Sequence, residues 1–390
     1  MQSSIPASAP LQERINPSST LRPPAAKSEI IGVDLFAGAG GFSLGALEAG
    51  VKIVAAVENQ KSACATYRRN LIDNGLTRTV LFEQDVLELD PHEFMTEAGI
   101  RPGKCDIMLG GPPCQGFSTH RLNDSGVDDP RNQLLLRYFE YVNVIRPRFF
   151  LVENVPGLLW PRHRKFLDAF YRLANENGYD LPPPFILNAR DYGVPQNRRR
   201  IFLLGTDRSE RVSCAWPPAA THVDPADQGN PRDLPPWKTA ATVFAQPLKD
   251  DDENNLHMRH NTDLTAAFER TPKNGGSRTK SGRVLKCHEG HNGHSDVYGR
   301  IDPFIPGPTM TTACINPSKG RFVHPTEPHG ITLRHAARFQ TFPEWFVFTG
   351  GLMAGGAQIG NAVPVQMATA LIAPMVEVLE ARRRTDSEAA

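Results

Sequence analysis

Glu29-Ile30-Ile31-Gly32-Val33-Asp34-Leu35, running into Phe36-Ala37-Gly38-Ala39-Gly40-Gly41, decides the fold. The first part is short and dominated by Ile, Val and Leu, as a buried strand requires. The glycine-rich turn opens directly onto an apolar helical stretch, Phe42 to Ala49. Strand, tight turn and helix in that order suit a ligand bound at the carboxyl end of a parallel sheet. Glycines such as Gly38 and Gly40 let the backbone turn sharply and approach that ligand closely.

The unit repeats outward. A second strand, Ile53 to Val57, ends on Glu58, a helix runs through Tyr67, and a strand at Val80-Leu81-Phe82 leads to Asp85. Strand Asp106 to Leu109, helix Asn132 to Ile145, strand Arg148 to Val152, helix Lys165 to Asn177 and strand Arg200 to Leu204 follow. Such alternation predicts an α/β fold, a mostly parallel sheet with helices on both faces. Glu58 at a strand end can accept hydrogen bonds from two ribose hydroxyls, and Asp85 from an adenine amino group. A nucleoside ligand fits this set. A nicotinamide dinucleotide competes, but the turn has G-x-G-G rather than G-x-G-x-x-G.

Residues 1–27 are rich in Ser, Pro and Ala and predict a disordered tail. The catalytic domain is expected over 28–206. After Gly205 the texture turns to Pro, Asp, Asn, Gly and His, predicting a small irregular domain over 207–325. Segment 326–381, with helices at Thr332 to Gln340 and Val365 to Ala381, returns to the first domain, and 382–390 is expected to be a disordered tail. No apolar run is read as reaching the roughly 20 residues that span a bilayer. No secretory leader is evident either, so no membrane partner and a cytoplasmic, nucleoid-associated location are expected.

Lys plus Arg (43) nearly balance Asp plus Glu (42), so any phosphate-binding surface must come from local clusters. Three candidates are Arg162-His163-Arg164-Lys165, Arg198-Arg199-Arg200 and Arg278 to Arg283, each of which also reads as a solvated face. The six cysteines form no C-x-x-C pair, which argues against a disulfide framework. Cys287-His288-Glu289-Gly290-His291-Asn292-Gly293-His294 contains metal-ligand residue types, but a loop with polar contacts is the better reading and no metal is expected.

Gly110-Gly111-Pro112-Pro113-Cys114-Gln115-Gly116-Phe117-Ser118 follows the fourth strand directly. Two prolines fix the backbone and remove two donors, presenting Cys114 on a rigid turn. An inert core cysteine needs no such shoulder. On the next strand, Phe149 to Val152 ends at Glu153-Asn154-Val155, which brings Glu153 toward Cys114 if the two strands are sheet neighbours. A buried glutamate there can act as a neutral acid, and a helix-capping role is the alternative.

These motifs, with Gln196-Asn197-Arg198-Arg199-Arg200, Leu333 to Pro343 and Gln358-Ile359-Gly360-Asn361-Ala362-Val363-Pro364, resemble in order and spacing those of the bacterial DNA cytosine-C5 methyltransferase family. The resemblance covers most of the chain from about Glu29 to Leu371. It implies a class I methyltransferase fold, with the irregular middle segment as a target-recognition domain. It also implies S-adenosylmethionine (AdoMet) as cofactor, contacted by Phe36, Glu58, Asp85 and Asn361, with Gly38, Gly40, Val86 and Pro113 lining the same site. Cys114 would add to cytosine C6, Glu153 would hold the N3 and amino edge, and Arg200, with Arg198, would hold the base or its phosphates. Gln115, Ser118 and Gln196 are the further nucleic-acid candidates, and Gln115 to Pro130 reads as a loop closing over a flipped base. The implied partner is double-stranded DNA, with a separate restriction or phage-defence system alongside and a monomeric enzyme. A tRNA methyltransferase of the same chemistry is the nearest rival. A catalytically silent DNA-binding module on this fold is the rival from another class.

Overall fold

A computed structural model describes residues 30–113, 133–227, 229, 233–282 and 296–388. The expected tail over 1–27, the Gln115 to Pro130 loop and the Cys287 to His294 segment lie outside the described residues. Its strands are β1 (Ile31–Leu35), β2 (Lys52–Val57), β3 (Val80–Phe82), β4 (Ile107–Gly110), β5 (Phe149–Asn154), β6 (Tyr179–Asp180), β7 (Phe185–Asn188) and β8 (Arg199–Asp207). They form one sheet in the order β3-β2-β1-β4-β5-β8-β6, with β7 also on β8. Strands β1 to β5 are mutually parallel, and β4 and β5 are wholly buried, as their unbroken apolar runs require.

The closing strand is where the structure goes beyond the sequence expectation. Strand β8 runs antiparallel to β5, pairing Glu153 with Phe202 and Asn154 with Ile201. Its first residues therefore stand at the carboxyl edge of the sheet, beside the end of β5. Strands β6 and β7 were not expected. They pair in succession along the same edge of β8, and Pro182-Pro183-Pro184, which carry no N–H to donate, interrupt them.

Helices α3 (Pro91–Glu97), α4 (Leu134–Ile145) and α5 (Arg164–Glu176) cover one face, where Phe150 meets Tyr138, Phe139, Phe170 and Tyr179 largely edge to face. Helices α1 (Gly41–Glu48) and α10 (Val365–Glu388) cover the other. They pack so closely that a methyl on Gly45 would lie 2.5 Å from the Ala368 Cβ.

Helix α10 carries two corrections. It continues to Glu388, so the stretch from 382 is not a loose tail: Arg382 pairs with Glu210 at 2.7 Å and Arg383 with Asp106 at 2.9 Å. Residues 351–388 also do meet the length and composition of a membrane span. They are nonetheless two helices, α9 (Gly351–Asn361) and α10, separated at Ala362-Val363-Pro364, and the apolar residues of α10 pack on α1 and the sheet.

Among the described residues, the α-helices of the middle segment are short, α6 (Ala241–Phe244) and α7 (Thr262–Arg270). Its core does not stop at residue 325. Val243, Met310, Cys314 and Phe322 share one apolar cluster with Leu333 and Phe339 of helix α8 (Leu333–Phe339). Buried cations bind it further: Arg300 donates to the carbonyls of Phe268, Thr271, His324 and Glu327, and Arg334 makes a two-bond pair with Asp252. His257 stacks on His329 at 4.1 Å, and Phe244 lies 4.8 Å from both His324 and His335. Burial pushes His324 down to about 4 and His335 down to about 2, so these rings pack as neutral groups.

Candidate active site

The carboxyl ends of β1, β2 and β4, with the turn beyond β3, surround one cradle. Phe36 leaves β1 at φ +59°, a left-handed conformation rare for a bulky residue and often found at working sites. Gly38 follows at φ +56°, and no atom lies within 4 Å of where a Cβ would stand, so the turn faces open space. Glu58 closes the turn from below. Its Oε2 accepts from the Gly38 amide at 2.9 Å and its Oε1 from the Asn59 and Gln60 amides. Burial pushes the Glu58 carboxyl up, and those three amides oppose the shift.

Each carboxylate oxygen of Glu58 keeps further acceptor capacity for a vicinal diol. Asp85, held by the Leu87 amide and the Asn59 side chain, stands at the next strand end, with Val86 buried behind it. Gly40 completes the turn as the left-handed N-cap of α1. Residues Ala362 and Val363, which follow Asn361, lie against Gly41, so the end of α9 flanks the turn. The open cradle and the acceptor set fit a nucleoside cofactor.

Beneath it lies Asp34, which sequence reasoning placed only in a strand. Its Oδ2 accepts from Ser43 Oγ at 2.6 Å, while Oδ1 is buried without a hydrogen bond. Burial pushes this carboxyl up to about 7, opposed by Ser43 and aided by the charge of Glu58. Between the ordinary value of 3.8 and about 7, the folded chain holds a proton that the unfolded chain releases, so stability falls as pH rises through that window. Asp34→Asn removes this dependence. Thermal melts should show the variant gaining on the native chain from pH 5 to pH 8. A difference in Tm that is the same at both pH values would contradict a titrating Asp34.

The second half of the site is built where β4, β5 and β8 meet. Strands β4 and β5 are neighbours, Gly110 opposite Val152, which is the condition for bringing Glu153 to the turn after β4. A methyl on Gly111 would stand 3.7 Å from Glu153 Oε2. Asn154 Nδ2 donates to the Pro112 carbonyl at 3.3 Å and fixes the turn, a role that sequence reasoning missed although it quoted the residue. Pro113 is exposed at the end of this turn. Cys114, Gln115 and Ser118, next along the chain, lie outside the described residues.

Arg200 arrives from the antiparallel β8. Its Nε lies 2.9 Å from Glu153 Oε1, an ion pair with both side chains largely buried. The alignment is not that of a hydrogen bond, and Glu153 Oε1 is buried without one. The other oxygen, Oε2, is the one beside the Gly111 turn, and a buried carboxylate there is suited to receive a polar ligand edge.

Two residues expected to touch substrate are instead buried among protein partners. Arg198 is 1% exposed and donates to the carbonyls of Met310, Gly360 and Ala362. Gln196 is fully buried, donating to Phe339 O and Gln340 Oε1 and accepting from the Met310 amide. Both fasten the C-terminal segment to the sheet. Among the basic clusters, Arg278 and His163 are also buried, Arg162 stacks on Trp160, and Arg164 pairs with Asp168. The exposed cation of the central cluster is Arg199.

Comparison with known proteins agrees with this arrangement. The profile of the C-5 cytosine-specific DNA methylase family matches residues 30–377. The Type II methyltransferase M.XorII of Xanthomonas oryzae pv. oryzae is 31% identical, over 92% of this chain and 87% of its own length. The Type II methyltransferase M1.HphI of Haemophilus parahaemolyticus is also 31% identical, over 87% and 84%. In fold, the chain resembles a DNA modification methyltransferase encoded within an Escherichia coli prophage, with a TM-score of 0.69, 24% identity and coverage of 90% and 99%. It also resembles the S. pombe Dnmt2 methyltransferase, with a TM-score of 0.54, 17% identity and coverage of 90% and 99%. On the span of the profile and the identity of these relatives, the chain belongs to the C-5 cytosine-specific DNA methylase family.

Proposed function

We propose that this chain transfers the methyl group of AdoMet to C5 of cytosine at a specific sequence in double-stranded DNA. The carrying observation is the Glu153–Arg200 pair beside the Gly111-Pro112-Pro113 turn that delivers Cys114. AdoMet, when bound, supplies an electrophilic methyl group. Glu58 and Asp85 would hold its ribose and adenine, with Phe36, Gly38, Gly40, Val86, Pro113 and Asn361 around it.

Cytosine C5 is a weak nucleophile, and the chain's own residues correct that. The Cys114 thiolate adds to C6, the C5–C6 double bond breaks, and electron density moves to C5 and toward N3. Glu153 pairs with the N3 and amino edge where that charge develops, and Arg200 supplies positive charge beside it. The same cation favours the thiolate of Cys114. C5 then takes the methyl group, its proton leaves to a base or water, and the electron pair re-forms C5–C6 as the Cys114 sulfur departs. The target base must leave the duplex to reach this edge, and Gln115, Ser118 and the loop to Pro130 would close over it. The chain works as a monomer in the cytoplasm, marking DNA beside a separate restriction or phage-defence system.

Labelled AdoMet incubated with plasmid DNA or with tRNA, followed by bisulfite sequencing, tests this reading. Label in DNA at protected cytosines supports it and gives the target sequence. Label in tRNA alone transfers the same chemistry to another substrate, and AdoMet binding without transfer to either leaves a silent binding module.

A further inference from the structure

Asp34 is a carboxyl group in surroundings that suit a neutral one. It is 1% exposed, and its Oδ1 is buried without a hydrogen bond. The donor to Oδ2 is the uncharged Ser43 hydroxyl, which itself accepts from the Tyr67 hydroxyl at 3.0 Å. Besides Ser43 of α1 and Tyr67 of α2 (Lys61–Tyr67), Tyr138 of α4 lies on the opposite face, its hydroxyl turned to Met108 O. Burial, and then the charge of Asp34, pushes both phenols up, so neither competes for the proton. Among the described residues no cation pairs with Asp34, and the charge that acts on it is that of Glu58. Asp34 is paired with Ala56, and Glu58 stands two residues further along, about 8 Å away by strand spacing and rise. A buried carboxylate with a neutral donor and a second carboxylate nearby is costly to ionise.

That cost depends on what occupies the cradle. The open turn at Gly38 begins at the end of the same strand, four residues after Asp34, and Glu58 Oε2 holds its amide. A neutral ligand there leaves Asp34 as costly to ionise as before. A ligand with a fixed positive charge supplies the missing cation and favours the carboxylate. AdoMet carries such a charge on its sulfonium sulfur. Once the methyl group has gone, the product is an uncharged thioether at the same atom.

We propose that Asp34 holds a proton while the cradle is empty, releases it when the sulfonium donor binds, and regains one after methyl transfer, so that charge separates donor from product. On binding, the carboxyl O–H bond breaks, the proton passes to solvent, and the carboxylate remains. The inference rests on the function proposed above, which supplies the ligand. Titration calorimetry of the full chain without DNA tests it, with AdoMet or S-adenosylhomocysteine in buffers of unequal ionisation enthalpy. Burial pushes the Asp34 carboxyl up to about 7, so binding must expel a proton below that pH and affinity rises as pH increases through it. At pH 7, AdoMet should release about half a proton more from wild type than from D34N. Relative to D34N, wild-type affinity for AdoMet should rise by up to about tenfold from pH 6 to pH 8, and for the thioether by less than about twofold. S43A removes a hydrogen bond that favours the carboxylate, so it should move the midpoint of the rise to higher pH.

Proton release that is the same in wild type and D34N would overturn the proposal. Equal release with AdoMet and with the thioether would overturn it too, in favour of the ribose and adenine contacts that both ligands share. Should D34N fail to fold, S43A decides, and an unmoved midpoint counts against Asp34. A wild-type chain that binds neither ligand would instead sink the methyltransferase reading itself.

Discussion

Cys114→Ser is expected to lower single-turnover methyl transfer to duplex DNA by about a thousandfold or more, with Tm and AdoMet binding unchanged. A serine hydroxyl is almost wholly protonated near neutral pH, whereas an ordinary thiol, with a pKa of about 8.5, has an accessible thiolate. Without addition at C6, C5 lacks the electron density to attack a methyl group. The fold should not register the change, because the turn before Cys114 is fixed by other contacts. Asn154 donates to Pro112 O, and Gly110 is locked into the sheet between β1 and β5. A second readout isolates the covalent step. On DNA carrying 5-fluorocytosine at the target, the C5 proton is replaced by fluorine, which cannot leave as a cation, so the cysteine adduct persists. Native enzyme should then form a complex that survives denaturation, and the serine variant should not. A variant retaining more than a tenth of the native rate would remove Cys114 from the chemistry.

The near half of the site was legible because its determinants are local. A strand, a glycine turn and an acidic strand end announce themselves within a few residues, and Phe36 to Gly41 with Glu58 form one cradle. The Pro112-Pro113 turn likewise contains its own rigidity. The direction of β8 was not legible, since a short apolar run from Arg200 to Leu204 reads the same either way. Only pairing with β5 fixes it, and that pairing delivers Arg200 to Glu153. Pro182 to Pro184 hid β6 and β7 by breaking the alternation that marks a strand. At the other end, Arg382 and Arg383 look like a solvated tail until Glu210 and Asp106, far away in sequence, meet them.

Arg198 and Arg200 show the same limit most sharply, and they give the second large effect. Gln196, Arg198 and Arg200 alternate with the exposed Asn197 and Arg199, so sequence alone gives the two inward arginines one role. Chain arriving more than a hundred residues later separates them, covering Arg198 with Met310, Gly360 and Ala362 and leaving Arg200 at Glu153.

Arg198→Met should therefore act on stability. It fills much of the volume but strips the donor from Met310 O and Gly360 O, each costing about 1–3 kcal/mol when left unmade in the interior, while Ala362 O keeps Gln340 Nε2. The summed loss, about 2–6 kcal/mol, corresponds to a fall in Tm of about 2–7 °C for a chain of this size. It also loosens the end of α9, which flanks the cofactor turn, so AdoMet binding should weaken as well. Arg200→Met should do the reverse. The Tm should fall less, because Glu153, left largely buried without its cation, can take up a proton, which the carbonyls around Arg198 cannot. The rate of methyl transfer should fall about a hundredfold, because the charge beside Glu153 and the thiolate is gone. Thermal melts and single-turnover rates on the two variants decide the matter. If Arg198→Met keeps its Tm and loses only activity, the buried arginine reaches the substrate after all, and the division of roles between the two is wrong.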